Sequence, residues 1–431
     1  MIGVVGYGRS GISVAKLISS LGETPFISDL NLDLSDVPYP HESGVHSESL
    51  LQMDLLVVSP GVPGSIPILK KARGRGLPII GELEFASRYL KGRVVAITGT
   101  NGKTTAAALA HHILAASTKK KILLGGNIYP GKPLSMLVPK SGKETITVLE
   151  VSSFQLERIV DFHPYIAAII NVSPDHLDRH FNFEAYLEVK LRIFKNQVST
   201  DYSILNRDDK NLFSLSLASK TYYFSMKERS NVYFDGTVVR DKENREIFYK
   251  DDLWMPIEPF VEDGMAASLI GKIMGVGLED VRNGIRTFSG IPHRMETFLK
   301  REDLWVVNNS MCTNPVAFTK SLESFPDSCV IVGGRMKVEN VTPIIEAIKR
   351  WASSVVLIGE SSEIIAMKLK EVGFTHYEYA SSMLNAVRKA AGSGDRKILL
   401  SPGGSSFDWY NDFTERGDDF KAKVREIYGN S

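Results

Sequence analysis

The chain has 431 residues, 43 % hydrophobic and 23 % charged, enough for several buried cores and too apolar for a disordered polymer; at roughly 150 residues per domain it predicts about three domains. Lysine plus arginine (51) against aspartate plus glutamate (50) leaves a formal charge of +1, with no global pull toward nucleic acid or an anionic membrane. Cys312 and Cys329 lack metal-ligand spacing, so the composition suits a soluble protein of a reducing compartment without a disulfide framework.

Met1-Ile2-Gly3-Val4-Val5 reads as a first core strand rather than a basic signal sequence, and no apolar run reaches the length of a membrane span. Gly6-Tyr7-Gly8-Arg9-Ser10-Gly11 follows and opens a helix from about Gly11 to Leu21. Its glycines permit a tight turn and close approach to a diphosphate at the positive helix end. Asp29, at the end of the next strand, stands where a carboxylate binds a ribose hydroxyl. Alone, the loop fits a dinucleotide site, another nucleotide or a tightly packed turn, and Asp29 equally fits a turn residue. Strands near Thr24–Ser28 and Asp54–Ser59 and a helix ending Arg88-Tyr89-Leu90-Lys91 close a first block, 1–91.

A second block, 92–290, starts with strand Arg93–Thr98 running into Gly99-Thr100-Asn101-Gly102-Lys103-Thr104-Thr105 and an alanine-rich helix. Backbone amides of such a loop surround polyphosphate oxygens, Lys103 neutralises β/γ charge and Thr104 holds Mg²⁺. The usual four-residue spacer is not kept, because Ile97 stands at the first glycine position. Glu150 ends strand Thr145–Val151, where a carboxylate faces the ligand crevice or is a plain surface acid. Strand Ile166–Asn171 leads into Val172-Ser173-Pro174-Asp175-His176-Leu177-Asp178-Arg179-His180, dense in metal-capable groups although each histidine alone fits a structural role. Structural-zinc spacing is absent, which favours Mg²⁺. Periodicity makes Lys190 a solvated helix lysine. Alternation over Val232–Arg240 and Arg245–Lys250 predicts a small antiparallel sheet attached to this block, and helices near 262–275 and 279–288 lead to the breaker Gly290-Ile291-Pro292.

The third block, 291–431, repeats strand–helix alternation through Leu304–Asn308, Cys329–Gly333, Val355–Gly359 and Lys397–Ser401. The fold class is α/β in three domains: a Rossmann-like N-terminal domain, a central P-loop ATPase-type domain with a small antiparallel sheet, and a Rossmann-like C-terminal domain.

The loop 99–104, Glu150-Val151-Ser152-Ser153-Phe154-Gln155-Leu156-Glu157, Asn171–Arg179, His293-Arg294-Met295-Glu296 and Leu400-Ser401-Pro402-Gly403-Gly404-Ser405-Ser406-Phe407 together resemble the Mur ligases of peptidoglycan synthesis, over essentially the whole chain. The Ser-Ser-Phe-Gln-Leu-Glu phrase is similar to the branch that adds D-glutamate to UDP-N-acetylmuramoyl-L-alanine. The resemblance implies a cytoplasmic, monomeric ATP-dependent ligase that works through an acyl phosphate, with no nucleic-acid partner and no membrane insertion. It implies uridine-diphosphate contacts at Arg9, Ser10, Asp29, Ser59 and Gly61, with Asn127 and His176 near the same substrate. ATP contacts fall on Gly99, Thr100, Asn101, Gly102, Lys103, Thr104, Thr105, His293, Arg294 and Asn309. Two Mg²⁺ ions are implied, one at Thr104 and Glu150 and one at His176, with a carbamate on Lys190 as an anionic ligand. Thr313, Lys337, Ser406 and Phe413 line the amino-acid pocket.

Three departures stand out. Asn309-Ser310-Met311-Cys312-Thr313-Asn314 replaces the family's Asp-Ser-Lys-Ala-Thr-Asn, Arg335-Met336-Lys337 replaces Asp-Gly-Lys, and Val261-Glu262-Asp263-Gly264-Met265 stands where His-Asn-x-x-Asn is usual. The rearranged cations predict that D-glutamate remains a substrate while a second D-amino acid is accepted. The rivals are a sister Mur ligase, a folylpolyglutamate synthetase-like ligase, a nucleotide-binding switch, and a nicotinamide-dependent oxidoreductase. The last leaves Lys103, Glu150 and His176 without roles.

Overall fold

The computed structural model describes residues 1–30, 33–128, 131–336 and 341–429. They form two compact units, Met1–Phe288 and Ser289–Ser431. The first unit carries two sheets. One contains β1 (Ile2–Val5), β2 (Pro25–Asp29), β3 (His41–Ser43), β4 (Leu55–Val58) and β5 (Ile79–Gly81), with helices α1 (Arg9–Ser20), α2 (Pro67–Gly74) and α3 (Glu82–Ser87). Its order is β3-β2-β1-β4-β5, parallel throughout. The chain starts in the middle, runs outward to β3 and restarts at β4. The crevice between the carboxyl ends of β1 and β4 is therefore the switch point where such sheets bind ligands.

The other sheet uses β6 (Arg93–Thr98), β7 (Ile122–Gly126), β8 (Ile146–Glu150), β9 (Ile166–Ile169), β10 (Tyr202–Asn206), β11 (Lys220–Ser225), β12 (Val232–Phe234), β13 (Val238–Asp241) and β14 (Glu246–Tyr249). Its order is β14-β13-β12-β11-β10-β9-β6-β8-β7. The expected antiparallel strands are attached here as the edge of the same sheet. Phe224 and Ser225 pair in parallel with Val232 and Tyr233, and β13 and β14 then continue antiparallel. Extending the ladder pairs the edge amides of β11 that would otherwise stay open.

Helices α4 (Lys103–Ser117), α5 (Ser153–Leu156), α6 (Leu177–His180), α7 (Phe183–Leu191), α8 (Glu258–Ile273) and α9 (Leu278–Thr287) belong to this sheet. Small residues let α4 lie close to its neighbours: a Cβ on Gly284 would stand 2.8 Å from Ile113 and one on Gly271 3.4 Å from it. The chain passes between the sheets near residues 88–92, yet one apolar core, including Val4, Ile27, Phe85, Leu149 and Ile169, runs through both.

In the second unit, β15 (Glu296–Lys300), β16 (Trp305–Asn308), β17 (Ser328–Gly333), β18 (Ala352–Ile358), β19 (Tyr377–Tyr379) and β20 (Lys397–Gly403) are ordered β15-β16-β20-β17-β18-β19. Only β15 is antiparallel. Helices α10 (Pro315–Ser324), α11 (Val341–Trp351), α12 (Ser362–Glu371), α13 (Met383–Gly392) and α14 (Phe413–Tyr428) cover it. Because β16, β20 and β17 are parallel neighbours, the loops at 309–314, 404–412 and 334–336 leave one end of the sheet together. Among the described residues, no helix is long and apolar enough to cross a membrane.

Candidate active site

The phosphate loop joins β6, a central strand, to α4. Gly102 is left-handed at φ +79° and caps the helix without a side-chain cap. The amino end of the helix, where the backbone dipoles sum to a positive pole, faces the loop and suits an anion. A Cβ on Gly102 would stand 2.2 Å from Asp263 Oδ1 of α8. Neighbouring segments hold the loop in shape. Thr100 N donates to Asn171 O and Asn101 N to Asn171 Oδ1, both at 2.9 Å. Lys103 Nζ donates to Thr100 O at 2.9 Å.

Glu150 ends β8, paired with Ile97 on β6. Its Oε1 accepts from Asn127 Nδ2 at 3.1 Å, while Oε2 is buried without a hydrogen-bond partner. A buried carboxylate oxygen left unmatched beside a phosphate loop fits a hard divalent cation. Lys190, on α7, is 1 % exposed, donates to Gly99 O at 2.6 Å and lies over the Tyr186 ring at 4.6 Å. Burial and then the charge of Lys103 push its amine down to about 7, against the pull of Asp175 and Glu150. The residue is thus internal, not the solvated lysine that helical periodicity suggests.

Two motif segments meet at Phe154, whose ring has His176 at 4.9 Å and the Arg179 guanidinium at 4.2 Å. His176 is left-handed at φ +51°, with Nε2 3.6 Å from Asp175. His180 is buried against Ser153 Oγ at 3.0 Å. Among the described residues no three His, Cys, Asp or Glu side chains converge as a metal cage. The set Thr104, Glu150 and His176 suits Mg²⁺ only if phosphate and water oxygens complete the shell, which is how that ion is usually held.

At the first switch point, Ser59 Oγ donates to Gly6 O at 2.7 Å, and Tyr7 N donates to Asp29 Oδ2 at 2.7 Å. A Cβ on Gly11 would stand 2.0 Å from Gly6 O, so the loop requires glycine there. Ser10 lies in the first turn of α1, and Gly61 in the exposed turn after β4. Arg9 donates to the Gly131 and Ile128 carbonyls, so part of its guanidinium is bound to the neighbouring loop rather than held toward the crevice.

In the second unit, His293 is 3 % exposed and packed against Asn308 and Gly417. Burial lowers its pKa. The ring, expected at the nucleotide, lies between Asn308 Nδ2 at 3.2 Å and Asp418 at 3.7 Å. Asn309, expected at ATP, is also internal: it donates to Ser401 Oγ at 3.2 Å and accepts from Met295 N at 3.1 Å. Arg294 is exposed. Thr313 is exposed, Ser406 buried and Phe413 half-buried, all in the loops or first helical turn at one end of this sheet. Lys337 lies outside the described residues. Arg335, expected to add a cation, is paired fork-to-fork with Glu360 at 2.9 and 2.8 Å.

The Mur ligase middle domain family matches residues 97–271, and the N-terminal domain of the MurD-like Mur ligases matches 1–81. The chain is 37 % identical to the UDP-N-acetylmuramoylalanine–D-glutamate ligase of Koribacter versatilis, over 98 % of this chain and 97 % of that one. It is 35 % identical to the enzyme of the same name from Clostridioides difficile, over 98 % of each. The chain belongs to the Mur ligase family. Solved Mur ligases share the fold: UDP-N-acetylmuramate–alanine ligase from Thermotoga maritima aligns with a TM-score of 0.61 at 20 % identity, over 99 % of both chains.

In this Mur ligase three contacts around these loops involve residues that are not among the expected site residues. Tyr186 OH meets Thr100 Oγ1 at 3.2 Å, Asp263 abuts Gly102, and Arg416 spans two loops of the second unit. None has a spacing signal, because each acts across a long chain separation.

Proposed function

We propose that this Mur ligase joins D-glutamate to UDP-N-acetylmuramoyl-L-alanine in the cytoplasm, converting ATP to ADP and phosphate. The observation that carries the reading is the meeting of Lys103, Glu150 with its unmatched oxygen, and the buried Lys190 around the loop 99–102. Relatives bearing that enzyme name match over almost the whole chain.

The alanyl carboxylate oxygen attacks the γ-phosphorus, the bond to the β-phosphate oxygen breaks, and ADP leaves. The amino-acid amine then attacks the acyl carbon and loses a proton, and the carbon–oxygen bond breaks as phosphate departs. Both steps bring anions or a lone pair toward negative charge, so the work lies in positioning and charge stabilisation. Lys103 and the amides of 99–105 hold the triphosphate. Arg9, Ser10, Asp29, Ser59 and Gly61 hold the uridine diphosphate, with Asn127 and His176 near the same substrate. Thr104 and Glu150 would hold one Mg²⁺ and His176 a second, which would neutralise phosphate charge.

Lys190 carries a carbamate in the working enzyme. An amine whose burial lowers its pKa to about 7 is partly neutral at physiological pH and can add CO₂. The product is an anion where an ammonium would repel the metal.

The three blocks divide the work: 1–91 for the uridine nucleotide, 92–290 for ATP, and 291–431 for the amino acid at Thr313, Lys337, Ser406 and Phe413. Met311 removes a cation that the family places in that pocket, so D-glutamate remains a substrate while a second D-amino acid is accepted. The test is phosphate release with UDP-N-acetylmuramoyl-L-alanine and ATP, with and without D-glutamate, and mass identification of the product. Turnover that does not depend on D-glutamate, or that needs L-alanine and the unsubstituted UDP-muramic acid instead, overturns the assignment. A panel of D-amino acids reads the breadth: strict D-glutamate use removes the second substrate.

A further inference from the structure

Away from the phosphate loop, three arginines from separate stretches of the first unit line one cleft of about 190 Å³: Arg73 in α2, Arg158 just after α5 and Arg192 just after α7. Each spends part of its guanidinium on backbone. Arg73 donates to Gly64 O at 2.8 Å and Arg158 to Val62 O at 2.7 Å. Arg192 donates to Glu157 O at 2.9 Å and Ile159 O at 2.7 Å. The one carboxylate in the wall, Glu157, is gripped by Arg179 through both oxygens at 2.8 and 2.7 Å. That pair cancels its own charge, and Arg158 stays 4.0 Å from Glu157. Of the three lining guanidiniums, Arg158 alone has a carboxylate within ion-pair reach among the described residues, Glu157 at 4.0 Å, and Arg179 already holds both oxygens of that group.

Arg158 is the decisive member. It is only 8 % exposed, and its Nη1 is buried with no hydrogen-bond partner. A charged donor in that condition costs more than most packing contacts return. Burial, with Arg179 and Arg73 nearby, pushes its pKa down to about 10 despite Glu157. A cleft that concentrates like charges around an unmatched donor is complementary to an anion.

We propose that this cleft binds a free tetrahedral oxyanion of the phosphate type between Arg73, Arg158 and Arg192. Guanidiniums match two oxygens of such an ion at a time, and the planar forks favour it over a spherical halide. Arg158 and Arg73 also hold the carbonyls of Val62 and Gly64. These end the turn that begins at Ser59 after β4, so the anion ties that turn to residues 157–159. The site depends on no residue assigned above to ATP, metal or uridine nucleotide.

Inorganic phosphate is titrated into the full chain by calorimetry, at constant ionic strength with chloride as the balancing ion. The titration is repeated with Lys103→Ala, which weakens the phosphate loop, and with Arg73→Gln, Arg192→Gln and Arg158→Gln. A saturable phosphate site survives in Lys103→Ala, weakens about tenfold or more in Arg73→Gln and in Arg192→Gln, and disappears in Arg158→Gln. Arg73 is exposed, so its variant reports binding even if the Arg158 variant folds poorly. Loss of all saturable binding in Lys103→Ala, or parent-like binding in both Arg73→Gln and Arg192→Gln, overturns the proposal.

Discussion

Lys190 Nζ donates to the carbonyl oxygen of Gly99 at 2.6 Å, although 91 positions separate the two residues. A helix lysine thereby closes the back of the phosphate loop from inside the protein. The contact gives the amine a fixed direction, and burial lowers its pKa to about 7.

Lys190→Ala therefore reduces amide formation by roughly a hundredfold or more, the scale of losing a charged group that stabilises the reacting phosphates. Acetate or formate restores part of it by occupying the vacated anion position, and ¹³C-bicarbonate gives a carbamate resonance in the parent but not the variant. Full activity in the untreated variant removes Lys190 from the mechanism.

Gly102→Ala places a methyl 2.2 Å from Asp263 Oδ1 at a φ of +79°. Left-handed backbone costs a non-glycine residue about 1–2 kcal/mol, and the clash moves the loop. Expected are a lower urea midpoint and an ATP affinity reduced at least tenfold by calorimetry. Parent-like nucleotide affinity would show that the loop tolerates displacement of Asp263.

Glu262 on α8 has its carboxyl raised to about 7 by burial and by Asp208, Glu258 and Asp209. Its pKa is higher folded than unfolded, so its contribution is fully present below pH 4.5 and is lost as pH climbs through about 7. Over that window the folded chain holds the extra proton and stability falls by up to about 1.4 kcal/mol per pH unit. Glu262→Gln removes that slope, so urea unfolding at pH 5 and pH 7.5 shows a smaller difference in the variant. An unchanged slope assigns the pH dependence to other groups.

Arg416 of α14 is 1 % exposed and donates to Ser310 Oγ at 3.0 Å, Ser310 O at 2.9 Å and Gly404 O at 3.1 Å. It ties together the two loops that carry the proposed amino-acid pocket. Arg416→Gln strands these acceptors and costs about 3 kcal/mol. The KM for D-glutamate rises while that for ATP stays within twofold. Equal increases in both would assign Arg416 to general folding alone.

Arg335 and Glu360 form an exposed bidentate pair, so Arg335→Ala leaves the melting temperature unchanged. Because its charge is already matched, amino-acid selectivity is also unchanged. Loss of D-glutamate use in this variant would place Arg335 in the pocket.

The strand at Arg93–Thr98, its glycine loop and the β-branched runs at 145–151 and 166–171 were legible because they are local: alternation, run length and turn residues act over a few positions. The same locality explains what was missed. Periodicity reads Lys190 as exposed because it cannot see Tyr186 and Gly99 folded over it. The hairpins near 232–249 show their own alternation but not that β12 extends the sheet beyond β11. His293 and Asn309 stand in motif positions, and that both are buried depends on packing that no local pattern carries. By itself the sequence determined the class of the fold, the family and the phosphate loop, since these are written in contiguous residues. Tertiary structure alone decided which polar groups were left unmatched, as with Glu150 Oε2 and Arg158 Nη1, because matching a buried donor or acceptor is a property of neighbours drawn from distant parts of the chain.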